Sequence, residues 1–297
     1  MPRFGPVLTA MITPMTDSGA VDLDGAAALA SWLVEHGNDG LVISGTTGEA
    51  STLTDAEQVS VWNAVRSAVD VPLIAGSGTN DTAHAAELTS RAAASGIDAV
   101  LVVTPYYNRP PQAGIEAHFR QVAAATDLPV MLYDIPVRTG RKIANEVIWR
   151  LVDEVPNIWA VKDATGNPSE SARLVANAPD GFELYSGDDS FTLPLLAVGA
   201  VGVIGVATHW AGREMGEMIA AFAKGDTAAA AHINARLIES WDFETGDLTP
   251  NPIPAKAMLR ALGLPAGQCR LPLGDAPDGL EARALEVWKH LGNERPA

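Results

Sequence analysis

The sequence predicts an α/β protein, a (β/α)8 TIM barrel followed by a C-terminal helical appendage. Along residues 1–225, short apolar runs alternate with longer windows of helical periodicity. Strands that are apolar throughout, with helices between them, indicate a parallel sheet buried on both faces. Eight such units in about 225 residues fit a closed barrel. A doubly wound sheet is the alternative, but the Gly-rich phosphate loop expected after its first strand is missing from ITPMTDSG.

Each predicted strand is a short, mostly apolar run. The eight strands are predicted at 7–13, 41–44, 72–76, 99–104, 129–134, 158–163, 182–187 and 201–207. The helical windows lie near 22–36, 55–69, 81–95, 112–125, 144–154, 168–177, 190–198 and 209–223. Thr54 before Asp55, Asn80 before Asp81 and Asn167 before Pro168 are predicted to begin three of these helices, because Ser, Thr, Asn and Asp cap helices and Pro favours the first turn.

The strand signal stops after the eighth unit. Residues 226–297 are predicted to form helices separated by loops rich in Pro and Gly, including TPNPIPAK and GLPAGQCRLPLG. We therefore predict a catalytic barrel at 1–225 and a C-terminal helical domain at 226–297, without a second catalytic centre.

Composition excludes several classes of protein. The formal net charge of −16 argues against a nucleic-acid surface, which would carry a basic stripe. The single cysteine, Cys269, excludes an internal disulfide framework and suits a reducing compartment. No run approaches the roughly 18 apolar residues of a membrane span. The N-terminal residues also lack the long apolar segment of a secretory signal, so a cytoplasmic protein with no membrane partner is expected.

Lys162 is the most informative residue, because it stands near the end of the apolar strand IWAVKD. Burial disfavours an ammonium and lowers its pKa, and a neutral amine attacks ketones to form a Schiff base. The alternative is a strand-end lysine paired with Asp163, although strand alternation points Asp163 to the opposite face. The remaining lysines are expected to be solvated surface groups: Lys142, Lys224, Lys256 and Lys289.

Polar residues follow several strands, where catalytic groups of such barrels cluster. Tyr133 ends the fifth strand, so it is expected to share a cavity with Lys162 on the sixth, although it is equally a candidate core tyrosine. Thr46 and Thr47 lie between glycines in GTTGE, which forms either a carboxylate site or a helix-capping turn. Arg138 is either a solvated loop residue or a bidentate anchor for a carboxylate. The six histidines show no metal-site spacing and no phosphate loop is present, so no metal or cofactor is predicted.

Six motifs together resemble the dihydrodipicolinate synthase family, within the pyruvate-dependent class I lyases and aldolases. They are GTTGE (45–49), TPYYNRPPQ (104–112), LYDIPVRTG (132–140), VKDATGN (161–167), SGDD (186–189) and NPIPAK (251–256). The resemblance covers nearly the whole chain. The GTTGE motif and the strand-six lysine are shared across the superfamily, whereas YYNRP and the arginine-containing loop are more specific.

The resemblance implies four catalytic residues. Lys162 would form the Schiff base with pyruvate, and Tyr133 would donate and accept protons. Thr46 and Tyr107 would complete a proton relay with Tyr133, with Tyr107 entering from a neighbouring subunit. The family is usually a homotetramer built as a dimer of tight dimers, so the same assembly is expected here.

The resemblance also implies the substrates and the residues that hold them. Thr47 and the backbone of Ile204 would bind pyruvate, and Arg138 would bind the carboxylate of L-aspartate 4-semialdehyde. Their condensation would give 4-hydroxy-tetrahydrodipicolinate for lysine and diaminopimelate biosynthesis. A sister lyase, such as N-acetylneuraminate lyase or a keto-deoxy-sugar aldolase, is the first alternative, and a non-catalytic barrel that binds a keto acid is the second.

Regulation is where the sequence departs from the family. Members inhibited by lysine use an interface site that maps to Ala50, Ser51, Asp55, Gln58, Asn80, His84 and Tyr106. The inhibited bacterial type has histidines at the positions of Asp55 and Gln58 and a glutamate at that of His84. His84 removes the natural partner for the ammonium of lysine, so weak or absent inhibition is expected.

Overall fold

The computed structural model describes residues 2–292, and its centre is a closed parallel barrel. Each strand pairs with the next along the chain, and the eighth pairs with the first, which confirms the barrel and excludes the doubly wound sheet. The strands are β1 (Val7–Ala10), β2 (Gly40–Ile43), β3 (Leu73–Gly76), β4 (Ala99–Val103), β5 (Val130–Asp134), β6 (Ile158–Asp163), β7 (Glu183–Ser186) and β8 (Gly202–Gly205).

Helices follow the strands and cover the outside of the barrel. They are α1 (Leu23–Glu35), α2 (Asp55–Ala68), α3 (Thr82–Ala94), α4 (Gln112–Ala123), α5 (Pro136–Thr139), α6 (Asn145–Glu154), α7 (Pro168–Ala176), α8 (Thr192–Leu196), α9 (Thr208–Ala223), α10 (Thr227–Glu244), α11 (Ile253–Ala261) and α12 (Leu280–His290). The short helix α5 was not predicted, and a 3-10 turn at Asp189–Phe191 replaces the start of the seventh helical window, 190–198. Between residues 2 and 292, no helix combines the length and apolar character needed to cross a membrane.

Two of the three predicted caps are confirmed and one is wrong. The Thr54 hydroxyl accepts from the Glu57 amide in a reciprocal capping box, and the Asn167 side chain accepts from the Glu170 amide. Helix α3 begins one residue later than predicted, and Asp81, not Asn80, caps it. The Asp81 carboxylate accepts from two first-turn amides, which its negative charge favours at a helix N-terminus.

The barrel separates two apolar layers by strand alternation. Leu8 and Val42 belong to the cluster inside the barrel, whereas their neighbours Val7 and Leu41 pack against the helices outside. Because successive strand residues point to opposite faces, every inward residue near a carboxyl end points towards the mouth of the barrel.

The C-terminal segment packs on the barrel through buried polar contacts as well as apolar ones. The prediction that Lys256 is solvated is wrong: its side chain is fully buried in α11, and its Nζ lies 2.5 Å from Oε1 of Glu49. The ammonium also donates to the Gln268 carbonyl at 3.0 Å, and the other Glu49 oxygen accepts from the Arg270 amide at 2.8 Å. The motif GTTGE is therefore tied to the C-terminal helices, and the division of the chain at residue 225 stays a prediction.

Removal of one partner from this buried pair should destabilise the protein. We expect Lys256→Met to lower the free energy of unfolding by about 3–5 kcal/mol, because Glu49 would remain buried without its counter-charge. Chemical denaturation at fixed protein concentration measures the change. Lys289→Met is the matched control on an exposed residue and should change stability by less than about 0.5 kcal/mol. The double variant Glu49→Gln/Lys256→Met should regain part of the loss, and equal stability of Lys256→Met and Lys289→Met would refute the prediction.

Candidate active site

Lys162 and Tyr133 lie side by side at the carboxyl end of the barrel. They are paired in register across β5 and β6, so both side chains point inward. Lys162 is only 5% exposed, and its Nζ lies 4.5 Å from the centroid of the Tyr133 ring. The structure therefore brings together the two residues that the sequence predicted to share a cavity.

Asp163 does not neutralise Lys162. Its carboxylate lies on the outer face of β6, where it accepts from the Thr165 amide and the Ser171 hydroxyl. The interpretation of Lys162 as a lysine paired with Asp163 is therefore wrong, for the reason that strand alternation gives.

Burial sets the chemistry of the amine. Desolvation lowers the pKa of Lys162 from its ordinary value to about 8, although the negative charges of Asp189 and Asp188 oppose the shift. The positive charge of Arg138 also lowers the pKa of Lys162, because it repels the ammonium. Roughly a tenth of the side chain is then the neutral nucleophile at pH 7, far more than for a lysine with its ordinary pKa.

Tyr133 keeps its proton at neutral pH. Burial raises the pKa of its phenol above the ordinary value, although the positive charge of Arg138 and a hydrogen bond with Thr46 oppose the rise. The phenol therefore stands as a proton donor next to the amine, in contact with a second hydroxyl through which a proton can move.

A cavity of about 380 Å³ opens at this end of the barrel. Thr46, Tyr133 and Arg138 line its inner part. The same cavity continues outward between α2 and α3, past the side chains that the family resemblance assigned to lysine binding. Those outer residues are Ala50, Ser51, Asp55, Gln58, Asn80, His84 and Tyr106.

The proposed substrate-binding residues surround this mouth. Thr47 is buried, and its Oγ1 accepts from Nδ2 of Asn251 at 2.9 Å. Arg138 lies in α5, and its Nη2 donates to the Asn251 carbonyl at 3.5 Å. Ile204 is a buried residue of β8, one position before the end of that strand.

Tyr107 does not line the cavity in the single chain. Its side chain is 90% exposed, in contrast to the buried side chain of Tyr133. Its φ of 72° lies in the left-handed region that a bulky residue adopts only when neighbouring structure imposes it.

Four polar residues near the site were not singled out from the sequence. Asp189, Glu244 and Asn251 are buried at the carboxyl end of the barrel, and Glu49 stands at its second loop. Glu49, Asp189 and Asn251 lie inside motifs that carried the family resemblance, which was the available signal for them. Glu244 has no such signal, because it ends an ordinary amphipathic helix.

The titration of Lys162 tests the electrostatics of the site directly. We expect a ¹³C-lysine-labelled sample to show one Cε resonance with a midpoint of about 8, because burial destabilises the ammonium. Loss of this resonance in Lys162→Met assigns it. A midpoint at or above about 10, the ordinary value for lysine, would contradict the assignment of a desolvated amine.

Comparison with known proteins gives the family. Residues 3–286 match the model of the dihydrodipicolinate synthetase family. The 4-hydroxy-tetrahydrodipicolinate synthase of Moorella thermoacetica is 49% identical over 98% of this chain and 99% of its own length. That of Acidothermus cellulolyticus is 54% identical over 97% of this chain and 93% of its own length.

A solved structure agrees with these relatives. The dihydrodipicolinate synthase of Cyanidioschyzon merolae, crystallised with lysine bound, superposes with a TM-score of 0.95. It is 43% identical in sequence, and the match covers 98% of this chain and 99% of that one. On the strength of the family model, the relatives and this structure, the chain belongs to the dihydrodipicolinate synthetase family.

Proposed function

We propose that this protein condenses pyruvate with L-aspartate 4-semialdehyde to give 4-hydroxy-tetrahydrodipicolinate, the reaction for which its relatives are named. The observation that carries the proposal is the amine of Lys162, buried in the barrel with a pKa of about 8 and in contact with Tyr133. The product would enter lysine and diaminopimelate biosynthesis, and the cytosol is the proposed location.

The reaction begins on the neutral amine. Lys162 attacks the ketone carbon of pyruvate, and loss of one water gives an imine. The imine acidifies the methyl group, and Tyr133 with Thr46 carries protons to and from the site while the enamine forms. The enamine carbon then attacks the aldehyde, so a new carbon–carbon bond forms. Finally, the amine of the second substrate attacks the former ketone carbon, closes the ring and releases Lys162.

Local positive charge and hydrogen-bond donors hold the anionic substrates, although the whole chain carries a net charge of −16. Thr47 and the backbone at Ile204 are proposed to bind the pyruvate carboxylate. Arg138 at the cavity mouth is proposed to bind the carboxylate of the aldehyde substrate. This anchor favours a small carboxylated aldehyde over the polyol substrate of a sister lyase.

Tyr107 is proposed to complete the relay from a second copy of the chain. Its exposed phenol and left-handed backbone suit a residue that is held by a partner and not by its own barrel. We propose a homotetramer made of two such tight dimers.

The first test is covalent capture. Borohydride with pyruvate should add one reduced pyruvyl group to the peptide that contains Lys162, because only an imine is reduced onto the chain. Mass spectrometry locates the adduct, and Lys162→Arg is the control that should give none. A coupled assay with L-aspartate 4-semialdehyde and with N-acetylneuraminate then separates the synthase from a sister lyase. An adduct on another lysine, or none at all, would refute the mechanism.

The second test concerns Tyr107. Tyr107→Phe and Tyr133→Phe subunits should each be impaired alone, but a heterodimer should recover about half of the wild-type activity, since one of its two sites contains both tyrosines. Activity of heterodimers purified with two different tags measures this. If verified heterodimers stay inactive, each relay lies within one chain.

The third test concerns regulation. Asp55, the carboxylate of the outer cavity, is already paired with His84 at 2.8 Å and lies 3.6 Å from Arg91. An incoming ammonium therefore lacks an unpaired counter-charge at this position, and we expect millimolar L-lysine to inhibit weakly or not at all. Initial rates at saturating pyruvate measure the effect, and half-inhibition well below about 1 mM, or roughly −4 kcal/mol of binding, would overturn the expectation. His84→Glu should increase sensitivity to lysine, whereas the uncharged control His84→Gln should not.

A further inference from the structure

Two buried carboxyl groups lie side by side at the carboxyl end of the barrel, and the charge of one of them acts on Lys162. Asp189, in the turn after β7, is 1% exposed, and Glu244, the last residue of α10, is 8% exposed. Oδ2 of Asp189 accepts from the Val206 amide at 2.7 Å, and Oε2 of Glu244 accepts from the Ala207 amide at 3.0 Å. Because these amides belong to consecutive residues, the two carboxyl groups must be close neighbours.

Two neighbouring carboxylates that are buried away from water cannot both carry a negative charge. Burial raises the pKa of Asp189 to about 6, and burial together with the charge of Asp189 raises the pKa of Glu244 well above its ordinary value. Oδ1 of Asp189 has no other hydrogen-bond donor among residues 2–292. A protonated Glu244 can donate a hydrogen bond to this oxygen. Glu244 is therefore the protonated acid and Asp189 the carboxylate.

Asp189 contacts one side of the proposed pyruvate site and lies two residues from a glycine that contacts the other side. Asp189 packs closely against Gly205, the residue after Ile204. A Cβ placed on Gly205 would lie only 2.3 Å from Oδ1 of Asp189. Gly187, two residues before Asp189, packs against Lys162 in the same way. A Cβ placed on Gly187 would lie 2.9 Å from Cγ of Lys162. Asp189 therefore packs on the end of β8 while its charge attracts the amine of Lys162.

The other titratable and charged groups around the pair do not supply this charge. His209 of α9 is neutral at physiological pH: burial lowers its pKa to about 4, its Nε2 accepts from the Ile12 amide, and its Nδ1 contacts the Val206 carbonyl. Arg138 of α5 repels the Lys162 ammonium, and Asp188 adds a smaller attraction than Asp189.

We propose that Asp189 and Glu244 form a proton-sharing positioning pair for the reaction at Lys162. The pair holds the two amides that follow β8 and places a single negative charge beside the amine and the iminium that it forms. This assignment rests on the proposed function for the iminium, but the position of the charge is a property of the free protein.

The pair predicts unequal effects of two isosteric variants. Asp189→Asn removes the charge, so the midpoint of the Lys162 titration should fall by about 0.5 pH unit or more, since the ammonium loses its main attraction. Glu244→Gln keeps a neutral donor towards Asp189 and an acceptor for Ala207, so the midpoint should stay within about 0.2 pH unit of the wild type. Both are measured on the ¹³C-lysine resonance, without substrate. A shift in Glu244→Gln and none in Asp189→Asn, or equal shifts, would overturn the assignment.

A second measurement does not require Asp189→Asn to fold. The infrared difference spectrum of wild type minus Glu244→Gln at pH 7 should contain the carbonyl stretch of a protonated carboxyl group, because other buried acids cancel. Its absence would overturn the assignment of the proton to Glu244. If pyruvate trapping fails in the wild type, the proposed function is wrong, whereas these two measurements still decide whether the pair exists.

Discussion

The burial of one amine inside the barrel is the constraint on which the site depends. Lys162 gains no partner from Asp163, because the pleat of β6 sends that carboxylate to the helix layer. Desolvation outweighs the opposing charges of Asp189 and Asp188 and brings its pKa to about 8. The same surroundings raise the pKa of Tyr133, so an amine that loses its proton readily stands beside a phenol that keeps its proton. One apolar environment thus prepares the two groups for opposite roles.

The part of the site that follows from local pattern is predictable from the sequence. Apolar runs of strand length show where the strands lie, and their two-residue period shows which side chains point inward. This pattern alone places Lys162 beside Tyr133, and the pairing of β5 with β6 agrees. The barrel and the helix caps Thr54 and Asn167 follow in the same way. The cap at Asp81 was missed by a single residue, because Asn and Asp are both good caps and only the backbone decides between them.

What the sequence does not reveal depends on contacts between distant parts of the chain. Asn251 meets Thr47 across 204 residues, and the burial of Lys256 depends on a glutamate from the second loop of the barrel. The Pro and Gly around Lys256 resemble a surface loop, so local composition gave the wrong environment. Tyr107 is a different case, because its side chain is exposed and does not line the cavity of its own chain.

These distant contacts also change the role of the C-terminal helices. Glu244 holds the backbone after β8, while Asn251 and Lys256 hold the loop after β2 through Thr47 and Glu49. The proposed pyruvate-binding groups, Thr47 and the backbone at Ile204, lie in or next to those two loops, so their positions depend on a segment that does not line the cavity. Substitutions that remove these buried contacts should therefore alter pyruvate binding without contact with substrate. The C-terminal segment works as the support of the catalytic end of the barrel, and the barrel alone would leave both loops without their buried partners.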